Sequence, residues 1–163
     1  MGTIYQGPPS LLEDLKVTVH NSSLVFPSQE TQIRSMFLSN IDQVLNFDVE
    51  TVHFFPSHKD FPPQIVADKL KNAIAKILVP YDFLAGRLKL NSETFRLEID
   101  CNAAGAGYVV ASSEYKLDEI GDLVYPNPAF EQLVCKSSNF LKPAEDHPLC
   151  VFQVQLQCHI AFK

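Results

Sequence analysis

The sequence predicts an α/β fold, because one strongly periodic helix pattern occurs together with several alternating strand patterns. Between residues 61 and 78, apolar side chains recur every three or four residues, which places them along one stripe of a helix. Residues 94–99 and 150–156 instead alternate apolar and polar side chains, as half-buried strands do. The chain has 163 residues, which is enough for one domain with its own core.

Composition and charge exclude several classes of protein. Hydrophobic residues make up 46% of the chain and charged residues 20%, which is typical of a globular domain and argues against disorder. The net charge of −6 comes without a basic stripe, so we expect no nucleic acid or anionic membrane partner. We expect no membrane span, since no continuous apolar run is long enough, and a cytoplasmic location, since the sequence starts without a signal-peptide pattern.

The cysteines predict neither a metal site nor a disulfide framework. The chain has four of them, at positions 101, 135, 150 and 158, and they form no CxxC pair and no metal-like spacing with histidine. Reduced thiols are therefore expected.

Residues 61–90 give the clearest prediction in the sequence, an amphipathic helix followed by a sharp turn and a strand. Asp60 is a candidate cap for the helix, and Pro80 cannot continue it. In the turn that follows, Gly86 suggests a backbone bend or a close chain approach, and Arg87 suggests a buried or half-buried ion pair. The helix positions predicted to face the core are Val66, Leu70, Ala73, Ile74, Ile77 and Leu78.

The other elements are predicted from shorter patterns. Residues 15–26 begin as a half-buried strand with a candidate turn at residues 20–23, and residues 50–57 form a β-branched and aromatic strand. Gly105 and Gly107 predict a tight strand-to-strand connection, because a phosphate-binding loop would need a third glycine and a following helix. Residues 116–123 are a candidate short helix, and residues 130–134 a short strand or helix.

Several segments resemble one enzyme family. Residues 84–88 read LAGRL after the amphipathic helix, residues 38–42 read LSNID, and residues 101–111 read CNAAGAGYVVA. Together with Pro148-Leu149 and Gln153-Val154, and in this order, they resemble the N-terminal portion of the plant BAHD acyl-CoA-dependent acyltransferases, of the hydroxycinnamoyl or feruloyl transferase type. The sequence departs from the family pattern at Asp82-Phe83, at Gln155 and at Cys158.

The resemblance implies a fold and an activity. The implied fold is a mixed, largely antiparallel sheet flanked by helices, an incomplete N-terminal domain of the chloramphenicol-acetyltransferase type. Residues 1–163 would be a single domain, the first part of a two-domain enzyme. That enzyme would transfer an acyl group from acyl-CoA to a hydroxyl or amine of a plant metabolite, with acyl-CoA as co-substrate and no bound cofactor or metal.

The resemblance also implies roles for individual residues. The loop of Phe26, Pro27 and Ser28 would help to line the acyl-acceptor pocket, and a plain surface loop is the alternative interpretation. Asp42, Gly86 and Arg87 belong to structural motifs of the family. From its chemistry, Asp42 would accept backbone hydrogen bonds or pair with a cation, and Arg87 is the candidate partner.

The catalytic motif of the family, His-x-x-x-Asp, is absent from the sequence. None of the five histidines has aspartate four positions later, and His159 is rejected as the base for that reason. No catalytic residue is therefore assigned, and the chain is expected to be truncated before the motif and inactive alone. The alternative is a non-catalytic fragment that binds an acceptor, or a full-length relative through an open sheet edge at residues 152–156.

Overall fold

The computed structural model describes residues 12–124, 127–136 and 146–157, which form two three-stranded sheets with one long helix. Two short 3-10 segments, Asp82–Ala85 and Pro128–Leu133, connect these elements. The strands are β1 Thr18–Val25, β2 Arg34–Phe37, β3 Arg87–Leu90, β4 Leu97–Cys101, β5 Ala106–Ser113 and β6 Val151–Gln157, and the helices are α1 Asn40–Val44 and α2 Pro63–Ile77.

The first sheet has the order β1-β5-β6 and mixes both strand directions. Strand β1 runs antiparallel to β5, with Val25 opposite Ala106, and β6 runs parallel to β5, with Phe152 opposite Tyr108. The second sheet, in the order β2-β4-β3, is antiparallel throughout. The predicted mixed, largely antiparallel architecture is confirmed, although the strands divide into two sheets.

Helix α2 is present where the periodicity predicts it, but it begins differently. Pro62 occupies the N-cap position without a side-chain hydrogen bond, and Pro63 lies in the first turn, where a missing N–H costs nothing. Asp60 does not cap the helix, because its backbone and its carboxylate both contact His58 instead. The prediction of an Asp60 cap is therefore wrong.

One core cluster lies between α2 and the first sheet. Ile74 and Leu78 of the helix, 7% and 0% exposed, pack with Val25, Ala106 and Tyr108 of the strands. Val66 is half-buried but is not part of this cluster, and three more of the predicted core positions do not join it, because the sheet covers only one side of the helix. These positions, Leu70, Ala73 and Ile77, are exposed.

A second cluster of buried residues, Leu15, Ile120, Ala129 and Leu133, explains one wrong prediction. Residues 50–57 form no strand, because no neighbouring segment offers them a backbone ladder in the described part of the chain. Val52 and Phe54 still alternate inward and pack on this cluster, and the rings of Phe54 and Phe130 lie 5.2 Å apart. The alternating pattern therefore indicated which side chains are buried, but the segment does not pair as a strand.

Local turn chemistry accounts for the other differences. The turn predicted at residues 20–23 is absent, because β1 continues to Val25 with a bulge between Val19 and Asn21. Phe95, predicted to lie in a strand, has a φ of 55° in a turn that the Asn91 side chain closes by accepting from two backbone N–H groups. Residues 116–123 form only a turn, in which the Lys116 N–H donates to the Glu119 carboxylate.

The remaining predictions for strands near the end of the described chain agree with the structure. Residues 128–133 form a 3-10 helix where a short strand or helix is predicted, and β6 matches the alternating pattern. Cys150, Phe152 and Val154 face the first core cluster, as the alternation requires.

The buried phenol of Tyr108 joins the sheet to α2 and makes the stability of the fold sensitive to alkaline pH. Its hydroxyl donates to the Ala67 carbonyl at 2.6 Å. Burial, with a smaller contribution from the charge of Asp68, raises the pKa of Tyr108 to about 12. Because the folded pKa is raised, the stabilisation is complete below the ordinary tyrosine pKa of about 10 and is lost as the pH rises through 12.

We therefore expect Tyr108→Phe to lower the free energy of unfolding by about 1 kcal/mol at neutral pH and to make stability less sensitive to alkali. Urea titrations followed by circular dichroism at pH 7 and pH 11 measure both effects. Tyr81→Phe, at an exposed ring, is the control. Equal alkaline losses in wild type and Tyr108→Phe would contradict the assignment.

Candidate functional site

The predicted acceptor loop lies at the end of β1, between α2 and the connection from β4 to β5. The backbone N–H of Ser28 donates to the Ala75 carbonyl of α2 at 2.7 Å, which fixes the loop against the helix. Phe26 is 56% exposed and its ring lies beside Gly105, where a Cβ would be 3.2 Å from two ring carbons. The loop thus presents an exposed aromatic ring next to the exposed Ser28.

Arg87 lies on the other side of the Gly105 turn and is 6% exposed. Its Nη1 donates to the carbonyls of Gly86 and Gly105, both at 2.8 Å, and Nη2 donates to Ala104 at 3.1 Å. Its Nε donates to the backbone carbonyl and carboxylate of Asp146, at 3.1 and 3.3 Å. The guanidinium therefore connects β3, the β4–β5 connection and the segment that precedes β6.

The predicted pair of Asp42 and Arg87 is wrong. The ion-pair partner of Arg87 is Asp146, whereas Asp42 closes a capping box at the start of α1. The Ser39 N–H donates to the Asp42 carboxylate at 2.8 Å, and the Asp42 N–H donates to the Ser39 hydroxyl at 3.3 Å. The sequence contained this signal, since serine followed three residues later by an acidic residue is typical of a helix start.

Hydrogen bonding to Ser39, first through its side chain and then through its backbone, lowers the pKa of Asp42. A lowered folded pKa stabilises the protein above the ordinary carboxyl range, and that stabilisation is lost as the pH falls through the folded pKa. We expect Asp42→Asn to lower the melting temperature slightly at pH 7 and to match wild type in acid. The losses of stability in Asp42→Asn and Arg87→Met should be additive in the double variant. Non-additive losses would show that Asp42 and Arg87 are coupled after all.

Gly86 confirms the predicted close approach of two chain segments. A Cβ at this position would lie 2.5 Å from the Asp100 carbonyl oxygen and 2.9 Å from the Ile99 side chain. The backbone φ of −85° is open to any residue, so space is what requires glycine here. Gly86 thereby lets the 3-10 turn contact β4 directly.

The described histidines and cysteines do not form a catalytic constellation. His20 shares a hydrogen bond of 2.7 Å with Ser112, and His58 lies 3.7 Å from Asp60 at the surface. Burial raises the pKa of the thiols of Cys101, Cys135 and Cys150, which is the opposite of nucleophile activation. His159 lies outside the described residues, which contain no group of three or more ligands able to hold a metal.

A cleft of about 370 Å³ is lined by residues outside the acceptor loop. It lies between α1, the second sheet and the segment 147–149, and its wall combines apolar side chains such as Leu88 and Leu97 with His147 and Asp48. Phe26, Pro27 and Ser28 do not line it. The acceptor loop and this cleft are therefore separate features of the chain.

Sequence reasoning missed the long-range polar contacts of the chain, and two of them anchor β2 and α1. Arg34 of β2 holds Asp82 with two hydrogen bonds, Nη2 to Oδ1 at 2.8 Å and Nε to Oδ2 at 3.2 Å. The Gln43 side-chain amide pairs with the backbone of Leu97 as a neighbouring strand would. It accepts from the Leu97 N–H at 3.0 Å and donates to the Leu97 carbonyl at 2.7 Å. The departure from the family pattern at Asp82 was the one sequence signal for the first contact.

Comparisons with known proteins agree on the family. The profile described as "Transferase family" matches residues 15–160. Acyltransferase GLAUCE of Arabidopsis thaliana is 59% identical over 94% of this chain and 34% of its own length. Omega-hydroxypalmitate O-feruloyl transferase of the same plant is 38% identical over 70% of this chain and 24% of its own length.

A solved structure, the crystal structure of vinorine synthase, shares the fold. It aligns with a TM-score of 0.59 and 17% identity over 87% of this chain and 35% of its own length. The chain thus spans about a third of the length of Acyltransferase GLAUCE and of vinorine synthase. No helix in the described part of the chain has the length and apolar character needed to cross a membrane. From the profile match and the curated relatives, the chain belongs to the plant Transferase family, the BAHD acyltransferases.

Proposed function

We propose that residues 1–163 supply the N-terminal, acceptor-side part of a two-domain cytoplasmic acyltransferase. The acceptor hydroxyl or amine attacks the thioester carbonyl of acyl-CoA, the new C–O or C–N bond forms, and the C–S bond breaks. The acceptor proton passes through a general base to the departing CoA thiolate, which leaves as the thiol. That base is absent from this sequence, so we expect the isolated chain to be inactive.

The observation that carries the proposal is the profile match across residues 15–160, together with a relative that is 59% identical. The relative that transfers a feruloyl group to omega-hydroxypalmitate makes a hydroxycinnamoyl donor and an aliphatic hydroxyl acceptor the first substrates to test. Phe26 supports an acceptor role, because an exposed aromatic ring offers a flat apolar surface to a small molecule.

The proposal is tested with feruloyl-CoA and omega-hydroxypalmitate, with ester formation followed by chromatography. We expect no ester from the 163-residue chain alone, and ester from a fusion of this chain to the unmatched remainder of the 59% identical relative. In that fusion, Phe26→Ala should raise KM for the acceptor more than KM for feruloyl-CoA. Phe55→Ala, at a ring that is 80% exposed and follows the segment packed on the second core cluster, is the control. Transfer by the chain alone, or an unchanged acceptor KM in Phe26→Ala, would contradict the proposal.

A second candidate function is non-catalytic binding to a full-length relative. In the described part of the chain, β6 pairs with β5 on one side only, which leaves its other edge open to a strand. Size-exclusion chromatography of the chain with and without a full-length relative tests this candidate. Co-elution would favour it, and separate elution would remove it.

A further inference from the structure

The turn before strand β5 lies directly against the ring of the predicted acceptor loop. Gly105 is buried, has a φ of 94°, and immediately precedes Ala106, the first residue of β5. A Cβ at position 105 would lie 3.2 Å from two carbons of the Phe26 ring, Cδ1 and Cε1, and 3.0 Å from the Val25 carbonyl oxygen. Because Gly105 has no side chain, one edge of the Phe26 ring can lie on its backbone.

The backbone on both sides of Phe26 is fixed, so the loop cannot shift as a whole. Val25 is the last residue of β1 and pairs with Ala106 in the antiparallel ladder. On the other side, the Ser28 N–H donates to the Ala75 carbonyl of α2 at 2.7 Å. The freedom left at Phe26 is the rotation of its side chain, which is 56% exposed.

The turn at Gly105 is held more firmly than the ring. The Gly105 N–H donates to the Ala85 carbonyl at 3.0 Å, and the Gly105 carbonyl accepts from Arg87 Nη1 at 2.8 Å. Nη2 of the same guanidinium donates to the Ala104 carbonyl at 3.1 Å, and the Ala104 N–H donates to the Asn102 side chain at 3.1 Å. A group added at position 105 would therefore displace the Phe26 ring rather than the turn.

We propose that Gly105 is a positioning residue for the acceptor, because it sets the direction of the Phe26 ring. This inference rests on the acceptor role proposed for Phe26. One edge of the ring lies on the glycine, and the exposed remainder is the apolar surface offered to the acceptor. Arg87 contributes indirectly, since its hydrogen bonds hold the turn on which the ring lies.

The first test is Gly105→Ala in the fusion of this chain to the unmatched remainder of the 59% identical relative. The added methyl requires the ring to move by a few tenths of an ångström. We expect KM for omega-hydroxypalmitate to rise by about threefold, because displacement of a substrate-positioning group weakens its contacts steeply. KM for feruloyl-CoA should stay unchanged, since the ring is proposed to contact the acceptor.

Gly121→Ala is the matched control for backbone strain. Gly121 also has a φ of 94°, but a Cβ there would meet no atom within 4 Å. Both variants should lose thermal stability, because alanine is strained at this φ. Only Gly105→Ala should change KM for the acceptor. An equal rise in the two variants would reflect a general loss of structure and would overturn the proposal.

A double variant shows whether Gly105 acts through Phe26. When Gly105→Ala is added to Phe26→Ala, KM for the acceptor should stay at the value of Phe26→Ala alone, while thermal stability still falls. A purely structural role would not separate these two effects. A further rise of the acceptor KM in the double variant would show that Gly105 acts by another route and would overturn the proposal.

An NMR measurement on the 163-residue chain tests the contact independently of any variant. With glycine and phenylalanine isotopically labelled, we expect nuclear Overhauser effects between the Gly105 Hα protons and the Phe26 ring, because ring carbons lie within van der Waals distance of this position. Their absence would overturn the proposal even if Gly105→Ala failed to fold.

The inference and the proposed function fail differently. A raised acceptor KM in Phe26→Ala together with an unchanged acceptor KM in Gly105→Ala would contradict only the positioning role of Gly105. An unchanged acceptor KM in Phe26→Ala would contradict the proposed function and, with it, the role of Gly105.

Discussion

We expect Arg87→Met to lower the free energy of unfolding by about 3 kcal/mol, the largest effect of a single substitution in this chain, because the carbonyls around the guanidinium lose a charged donor. The guanidinium is 6% exposed and donates to carbonyls of Gly86, Gly105 and Ala104 as well as to Asp146. Methionine fills a similar volume but donates no hydrogen bond, so these acceptors lose their charged partner. Chemical denaturation followed by circular dichroism measures the loss.

Arg34→Met is the matched control, because Arg34 also holds an aspartate with two hydrogen bonds, but its side chain is 39% exposed. The Asp82 side chain is 13% exposed, but the guanidinium of Arg34 is open to solvent, so the control should lose less stability than Arg87→Met. Equal losses in the two variants would show that Arg87 acts as an ordinary surface ion pair. Arg87→Lys should recover only part of the loss, since one ammonium group cannot reproduce the fork of donors.

The second large effect is expected for Gly86→Ala. The added methyl would lie 2.5 Å from the Asp100 carbonyl oxygen, which is backbone of β4 and cannot rotate away. We expect a loss of about 1–3 kcal/mol, the usual range for overpacking in a closed site, together with displacement of the 3-10 turn from β4. Denaturant titration measures the first effect, and amide hydrogen exchange of residues 97–101 measures the second.

Gly121→Ala is the control that distinguishes the cost of a steric clash from the cost of an unfavourable backbone conformation. Gly121 has a φ of 94°, and a Cβ there would meet no atom within 4 Å. Its substitution should cost only the conformational penalty of about 1 kcal/mol for a left-handed residue and should leave hydrogen exchange in β4 unchanged. If Gly86→Ala behaved in the same way, the close approach to Asp100 would not be the reason for glycine at position 86.

Features that depend on local periodicity were predictable from the sequence. Helix α2 and strand β6 lie where their patterns place them, because burial of one face requires that spacing in any context. The exposed stripe at Leu70 and Ile77 was not predictable, since periodicity identifies an apolar face but not what covers it. The same ambiguity made residues 50–57 resemble a strand.

Features that depend on distant partners were mostly beyond sequence reasoning. The burial of Arg87 was correctly predicted, but its partner was not, because Asp146 is brought to it only by the segment that leads into β6. The local alternative for Asp42, an acceptor of backbone hydrogen bonds, is confirmed by the capping box. The acceptor role of Phe26, Pro27 and Ser28 stays a prediction until the fusion is assayed.

The parallel pairing of β5 with β6 has a consequence for the order in which the chain folds. Strands β3 and β4 are neighbours in sequence and form their hairpin by closing a short loop, which is fast. Strand β6 instead pairs with β5 across the long connection from Ser113 to Val151. Strand β1 pairs with β5 across a long stretch of sequence on the N-terminal side. We therefore expect a slow folder with high contact order, in which the β3–β4 hairpin forms early and β6 joins last.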